Sequence, residues 1–354
     1  MIVRAAWIAV TIAAACAGAT GPQVTDPPER SEPLVFSNEG ITFNGTLWLP
    51  AGEGPHPAVV LVGGNGPWRP AHWYFDILRD VFRAQGIAVA YYDRRGEAGT
   101  GGDFDRATFE QLSDDAIAAV DAARAFAGID PRRVGIWGHS MGGWIAGLAA
   151  SRSASVAFVI TAAGPGVGPL DQTLFARENE DRAAGFSEAD VGAMSILRRK
   201  IVEYYVFRAP TQHAESQALF DAARQATWFP TAAAWPELRG VGAKIPSPET
   251  LAAIDSQDPD VLRWFRRDGL FDPSQAHGRI NVPYLSIFGE SDTIVPLGPS
   301  VAALERGIPA SRLTVRTYAN ANHMIMTGPA RELAALAAGY PAGMADWVST
   351  VPGR

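Results

Sequence analysis

Gly138-His139-Ser140-Met141-Gly142 sets one serine among glycines, between the strand-like run Arg133–Trp137 and the helix-compatible run Met141–Arg152. This is a G-x-S-x-G pattern in a strand–turn–helix context. A serine on so sharp a turn needs small residues two before and two after it, because backbones crowd there. A serine hydroxyl is a weak nucleophile at neutral pH. It carries chemistry only if a histidine takes its proton and a carboxylate orients that histidine. The chain has six histidines. His56 precedes a buried strand, His72 begins a helix, His213 lies inside a helical insert and His277 lies on the return from it. His139 adjoins the serine, but neighbours on a sharp turn point apart, so it reads as packing. His323 follows the last strand-like run, "LTVRTYANANH", and it is the histidine that lies beyond Asp292 in "FGESDTIVP". The chain order is then Ser140 as nucleophile, Asp292 as orienting acid and His323 as general base. Glu290, two residues before Asp292, is the alternative acid. A tetrahedral intermediate also needs two N–H donors for its oxyanion. One is expected from Met141. The other is expected from the loop Gly63-Gly64-Asn65-Gly66-Pro67, with Asn65 as the candidate and Gly64 as its adjacent alternative.

Such groups have to converge from segments far apart in the chain, at the carboxyl ends of strands. "LVFSNEGITFNGTLWLP" alternates around Asn38-Glu39-Gly40 and Asn44-Gly45 and predicts antiparallel strands. "PAVVLVGG" and "IAVAYYD" are continuous apolar runs, the pattern of strands buried on both faces. Trp73–Gly86 and Phe109–Gly128 have helical spacing, and "RVGIW" and "VAFVITAAG" read as further strands. Strands alternating with helices predict an α/β fold with a doubly wound, mostly parallel sheet. The rhythm stops near Gly166 and resumes at "VPYLSIFGESD". Between them, Ser187-Glu188-Ala189-Asp190, Ser247-Pro248 and Asp258-Pro259 are helix starts. The segment therefore reads as an inserted helical cap, residues 166–276, in a core of residues 33–165 and 277–354. Its aromatics include Trp228, Trp235, Trp264, Phe220 and Phe229. Most are expected to form the cap's own core, with Trp228 and Trp264 as candidates for contact with substrate. Pro329 is expected to begin a C-terminal helix.

The segments "GTLWLP", "PAVVLVGGNGP", "YYDRRGEAGTGG", "GIWGHSMGG", "VPYLSIFGESDTIVP" and "NANHMI" together resemble the α/β-hydrolase superfamily. Within it they are similar to bacterial esterases and acyl hydrolases related to the dienelactone-hydrolase and serine-aminopeptidase-like groups. The resemblance runs from Leu34 to the C-terminus apart from the cap. It implies the hydrolase fold and the triad, with ester cleavage through an acyl-enzyme. The turn Tyr92-Asp93-Arg94-Arg95-Gly96 resembles a structural feature of that group. Gly63 departs from the pattern, because many members carry histidine there.

Composition bounds the alternatives. A net charge of −7 and a pI near 5.4 argue against nucleic acid as a partner. The single cysteine, Cys16, excludes a disulfide framework or a cysteine metal site. There is no H-E-x-x-H and no Gly-Lys-Ser/Thr after "GEAGTGG", so no metal or cofactor is implied. No protein partner is implied either; the expected partner is a small ester or acyl substrate. "MIVRAAWIAVTIAAACAGAT" has an early basic residue and an apolar run of signal-peptide length. Its Ile12–Cys16 end resembles a bacterial lipobox with Ala13 in the usual leucine place. Residues 1–16 are expected to be a signal segment, with Cys16 lipidated and residues 17–32 forming a flexible tether. That predicts an exported protein, anchored by lipid to the cell envelope and facing the periplasm. Three other functions compete. A peptidase would need a cap carboxylate such as Glu203 or Glu215 facing Ser140. A thioesterase fits poorly with export, and a non-catalytic binding protein would usually lack a triad member.

Overall fold

The computed structural model describes residues 30–66, 72–233, 235, 238, 244–257, 271–329 and 331–353. The signal segment with Cys16, most of the tether, Asp258-Pro259 and Trp264 lie outside these residues.

β1 (Arg30–Asn38) and β2 (Ile41–Leu49) form a hairpin turned at Glu39-Gly40, where φ is 48° and 76°. Arg30–Glu32 pair with Leu47–Leu49, so they belong to the sheet rather than to the tether. Asn44-Gly45, a turn pattern in sequence, lies inside β2 instead. Gly45 is required there by contact, since a Cβ would stand 2.2 Å from the carbonyl oxygen of Tyr91.

The chain continues through β3 (His56–Val62), α1 (Trp73–Ala84), β4 (Ala88–Tyr92), α2 (Phe109–Arg124), β5 (Ile129–His139), α3 (Met141–Arg152) and β6 (Val159–Ala162). Thr108 and Gln111 close a reciprocal capping box at the start of α2. The cap follows as α4 (Pro169–Ala183), α5 (Glu188–Phe207), α6 (Pro210–Ala223), α7 (Phe229–Ala232) and α8 (Pro248–Gln257). The core resumes with α9 (Ser274–His277), β7 (Tyr284–Gly289), α10 (Leu297–Gly307), β8 (Leu313–Tyr318) and α11 (Tyr340–Thr350). Pro329 does not begin a helix. Met326 pairs with Leu336 in an antiparallel bridge, which closes a local loop before α11 starts at Tyr340.

The sheet order is β1-β2-β4-β3-β5-β6-β7-β8, antiparallel at the β1-β2-β4 end and parallel from β4 onward. Period-two alternation sends Ala58, Val60 and Val62 of β3 to the face covered by α2 and α3. Val59 and Leu61 go to the opposite face, covered by α1 and α11. Both faces are dry, as the unbroken apolar runs predict.

The cap has its own cluster, in which Met194, Leu197, Ile201, Tyr204, Phe220, Trp228 and Trp235 are buried together. Arg198 and Asp181 form a buried ion pair there, and the Arg198 guanidinium lies 3.8 Å from the centre of the Trp235 ring. Ser187 and Ser247 cap α5 and α8 by accepting from Asp190 N and Thr250 N, both at 3.2 Å. Both stalks of the cap rest on the core. Trp144 Nε1 donates to Val167 O at 2.9 Å at the entrance, and Phe271 packs on Phe109 at 4.9 Å at the exit. Ala276 is buried in the main core, so the core resumes by Phe271 rather than at residue 277.

Candidate active site

β5 lies between β3 and β6, and Ser140 follows its last residue at the carboxyl edge of the sheet. Ser140 has φ 53° and ψ −122°, a left-handed backbone that costs a non-glycine residue about 1–3 kcal/mol. The surroundings hold it there. Ser140 N donates to Ala162 O at 3.0 Å, and Ser140 O accepts from Gly143 N at 2.8 Å. A Cβ on Gly138 would stand 2.1 Å from Gly142 O, and one on Gly142 would stand 2.4 Å from Val62 O. The spacing rule of the pattern is thus a packing rule, because β3, the turn and the start of α3 meet with no room for a side chain.

Asp292 and His323 are brought together from the ends of β7 and β8. His323 Nδ1 lies 2.8 Å from Asp292 Oδ2. The other oxygen, Oδ1, accepts from Ile294 N at 2.8 Å and Val295 N at 3.0 Å. The carboxylate is therefore aimed from both sides, and its side chain is 1% exposed against 16% for His323. A Cβ on Gly289 would meet Ala321 O at 2.3 Å, so the two loops are in backbone contact. Glu290 turns elsewhere and accepts from Thr317 Oγ1 at 2.8 Å. The cap touches this acid loop too, through Gln172 Nε2 to Ile294 O (2.8 Å) and Asn179 Nδ2 to Thr293 O (3.0 Å).

His139 does more than fill space. Its Nε2 lies 3.0 Å from His323 O, and its ring stands 4.9 Å from the His323 ring, edge to face. A carbonyl oxygen can only accept, so Nε2 of His139 carries the proton. Burial, and next the charge His323 would bear, hold the His139 pKa well below the ordinary histidine value. It is a neutral brace on the backbone of His323. Sequence adjacency to Ser140 could not reveal this, because the partner lies on another loop.

Of the proposed oxyanion donors, Met141 is the first residue of α3, where an N–H has no preceding turn to receive it. Gly64 lies against Ser140, since a Cβ there would stand 3.0 Å from both Ser140 Cβ and His139 O. Asn65 is the next residue, exposed at the loop's crest. Trp228 is buried in the cap cluster, its ring 6.3 Å from that of Trp235, and so sits in the cap's own core rather than on a cleft. Glu203 and Glu215 both face Lys200, at 3.3 and 3.9 Å. Among the described residues no group of His, Cys, Asp and Glu is arranged to hold a metal ion.

The sequence pattern of the prolyl oligopeptidase family matches residues 73–181, which include Ser140 but stop short of Asp292 and His323. The esterase EstD of Thermotoga maritima is 28% identical over 200 residues, 52% of this chain and 47% of its own length. The uncharacterized peptidase YuxL of Bacillus subtilis is 35% identical over 129 residues, 33% of this chain and 20% of its own. The chain thus spans half or less of the length of these curated relatives. Among solved structures, an esterase of Pyrococcus furiosus superposes with a TM-score of 0.53 at 15% identity, covering 95% of this chain and 98% of that one. Sheet order, elbow and the solved structure agree, and the chain has the α/β-hydrolase fold, with sequence similarity to esterases and peptidase-like hydrolases.

Proposed function

We propose that this chain is a serine hydrolase that cleaves carboxylic esters through an acyl-enzyme on Ser140. The observation that carries the reading is the Asp292–His323 hydrogen bond, formed behind a serine held at positive φ in the expected chain order. In this reading Ser140 Oγ attacks the ester carbonyl carbon while His323 Nε2 takes the hydroxyl proton. Asp292 holds the Nδ1–H and stabilises the imidazolium that forms. The N–H groups of Met141 and Asn65 receive the oxyanion. Collapse expels the alcohol, protonated by His323, and a water activated by the same histidine then releases the acid. A fluorophosphonate probe should label Ser140, identified by peptide mass spectrometry, and a p-nitrophenyl ester series should be hydrolysed. Labelling elsewhere, or none with the protein folded, would overturn the assignment.

A peptidase reading is the second, favoured by the prolyl oligopeptidase match. Glu203 and Glu215, two of the cap carboxylates that could hold a peptide amine, both lie beside Lys200, at 3.3 and 3.9 Å, which supports the ester reading. Aminoacyl p-nitroanilides separate the two, because turnover comparable with the best ester would favour the peptidase.

We also propose export, with cleavage before Cys16 and acylation of its thiol, so that the enzyme faces the periplasm on a lipid anchor. An alkyne fatty acid should label the wild type in cells and not Cys16→Ser. An unlabelled wild type would leave a protein exported without an anchor, and the chemistry unchanged.

A further inference from the structure

We infer that Arg94 is the positioning residue of the oxyanion hole, setting the direction of the Asn65 N–H by gripping the carbonyls on either side of it. The inference rests on the serine-hydrolase reading above. Arg94 comes just after β4, next to β3 in the sheet, and reaches back over the loop that follows β3. Its Nη1 donates to Gly64 O at 2.9 Å and its Nη2 donates to Gly66 O. The Gly64–Asn65 peptide is trans, and in a trans peptide the C=O and the N–H point in opposite directions in one plane. Holding Gly64 O therefore aims the Asn65 N–H away from the guanidinium. The second bond, to Gly66 O, stops the loop from rotating about the first.

The guanidinium is itself held on every side. Glu97 accepts from Nη2 at 2.6 Å and from Nε at 3.2 Å. The Phe104 ring covers its face at 3.9 Å, and Arg94 is 7% exposed. Its charge is balanced by Glu97 and four of its five N–H donors are committed to Glu97 and the loop carbonyls, so it acts on the reaction through the loop. An open cleft of about 490 Å³, bordered by Asn65, Gly66, Arg94, Glu97 and Phe104, lies on this side of the loop. Gly63, Gly64 and Gly66 have no side chains with which to brace the loop against that space. Arg95, the next residue, has a different task. It pairs with Asp115 at 2.6 Å and anchors the turn to α2.

The test compares Arg94→Met with wild type on p-nitrophenyl butyrate and on an alkyl trifluoromethyl ketone, whose hemiketal alkoxide would occupy the hole. The expected result is a fall in kcat of about 10- to 100-fold with KM within about threefold. The ketone should lose affinity by a similar factor, and the midpoint of the pH–rate profile should not move, because Asp292 and His323 are untouched. Arg94→Ala should recover activity when guanidinium is added at millimolar concentration. Arg94→Lys, which keeps the charge but not the fork, serves if Arg94→Met does not fold, and should still lose several-fold in kcat. A folded Arg94→Met or Arg94→Lys within twofold of wild type, a loss confined to KM, or a shifted pH midpoint overturns the inference. Ser140→Ala run alongside separates the two levels. Activity surviving there sinks the hydrolase reading itself, whereas a dead Ser140→Ala beside an unaffected Arg94→Met sinks this inference alone.

Discussion

The elbow in the core and the helical cap are built on different principles. Around Ser140 three backbone segments touch, so a Cβ on Gly142 would stand 2.4 Å from Val62 O and 2.8 Å from Gly63 O. In the cap, a Cβ on Gly192 of α5 would meet nothing within 4 Å, and the order comes from one apolar cluster and a buried ion pair. The core positions its groups by main-chain contact, which tolerates no change of residue. The cap positions its groups by burial, which accepts many residues of similar volume. Under the proposed function, this contrast predicts chemistry on the first and variable substrate selection on the second.

The largest expected effect tests the core half of that contrast. Ser140→Ala and His323→Ala should each lower ester hydrolysis about 10⁴-fold with the fold intact, and Asp292→Asn somewhat less. Residual activity within tenfold of wild type in the serine or histidine variant would remove the triad. Gly142→Ala comes next. Its methyl group must displace the end of β3 and the loop that carries Asn65, so kcat should fall on the order of 100-fold and the melting temperature should drop. Wild-type kcat and stability in Gly142→Ala would show that the elbow is softer than its contacts imply.

The cap half predicts a different phenotype. Arg198→Ala leaves the Asp181 carboxylate buried without its partner and should cost about 3–5 kcal/mol, read by urea unfolding. Hydrolysis of the shortest esters should survive while the preference among longer chains changes. Equal loss on every ester would merge the two regions into one unit.

A smaller effect lies at the joint. His277, on α9 where the cap returns, is buried against Gly307, and burial pushes its pKa down to about 4, with Asp272 opposing. Unfolded, it titrates near 6.5, so between those values the unfolded chain binds more protons. Its contribution is complete above that range and shrinks as pH falls from about 6.5 toward 4, by up to about 3 kcal/mol. The loss of stability between pH 7.5 and 5 should be smaller in His277→Gln than in wild type; equal losses would assign it to other groups. The smallest effect sharpens the comparison from the permissive side. Gly192→Ala should leave kcat unchanged and stabilise the protein by about 0.5–1 kcal/mol, since alanine is the better helix former. A destabilised Gly192→Ala would mean the cap is as tightly specified as the elbow.

Local pattern was enough to place the core strands, most of the helices and Ser140, because hydrophobic period and turn chemistry act within a few residues. The places of Ser140, Asp292 and His323, each just past a strand, were legible for the same reason. Local pattern misplaced the start of the C-terminal helix, which begins at Tyr340 and not at Pro329. Tertiary structure decided whatever depended on segments distant in sequence. It sent Glu290 to Thr317 and Asp292 to His323, although both acids sit in one loop. It put Asn44-Gly45 inside a strand, because Tyr91 occupies the space that a side chain would need. It buried Trp228 among cap residues and moved the core boundary to Phe271. It also bonded His139 to the backbone of His323, and Arg94 to the loop after β3. Few of these contacts leave a mark in a window of neighbouring residues, because the partners are brought near by the sheet or, for Trp228, by the packing of the cap helices.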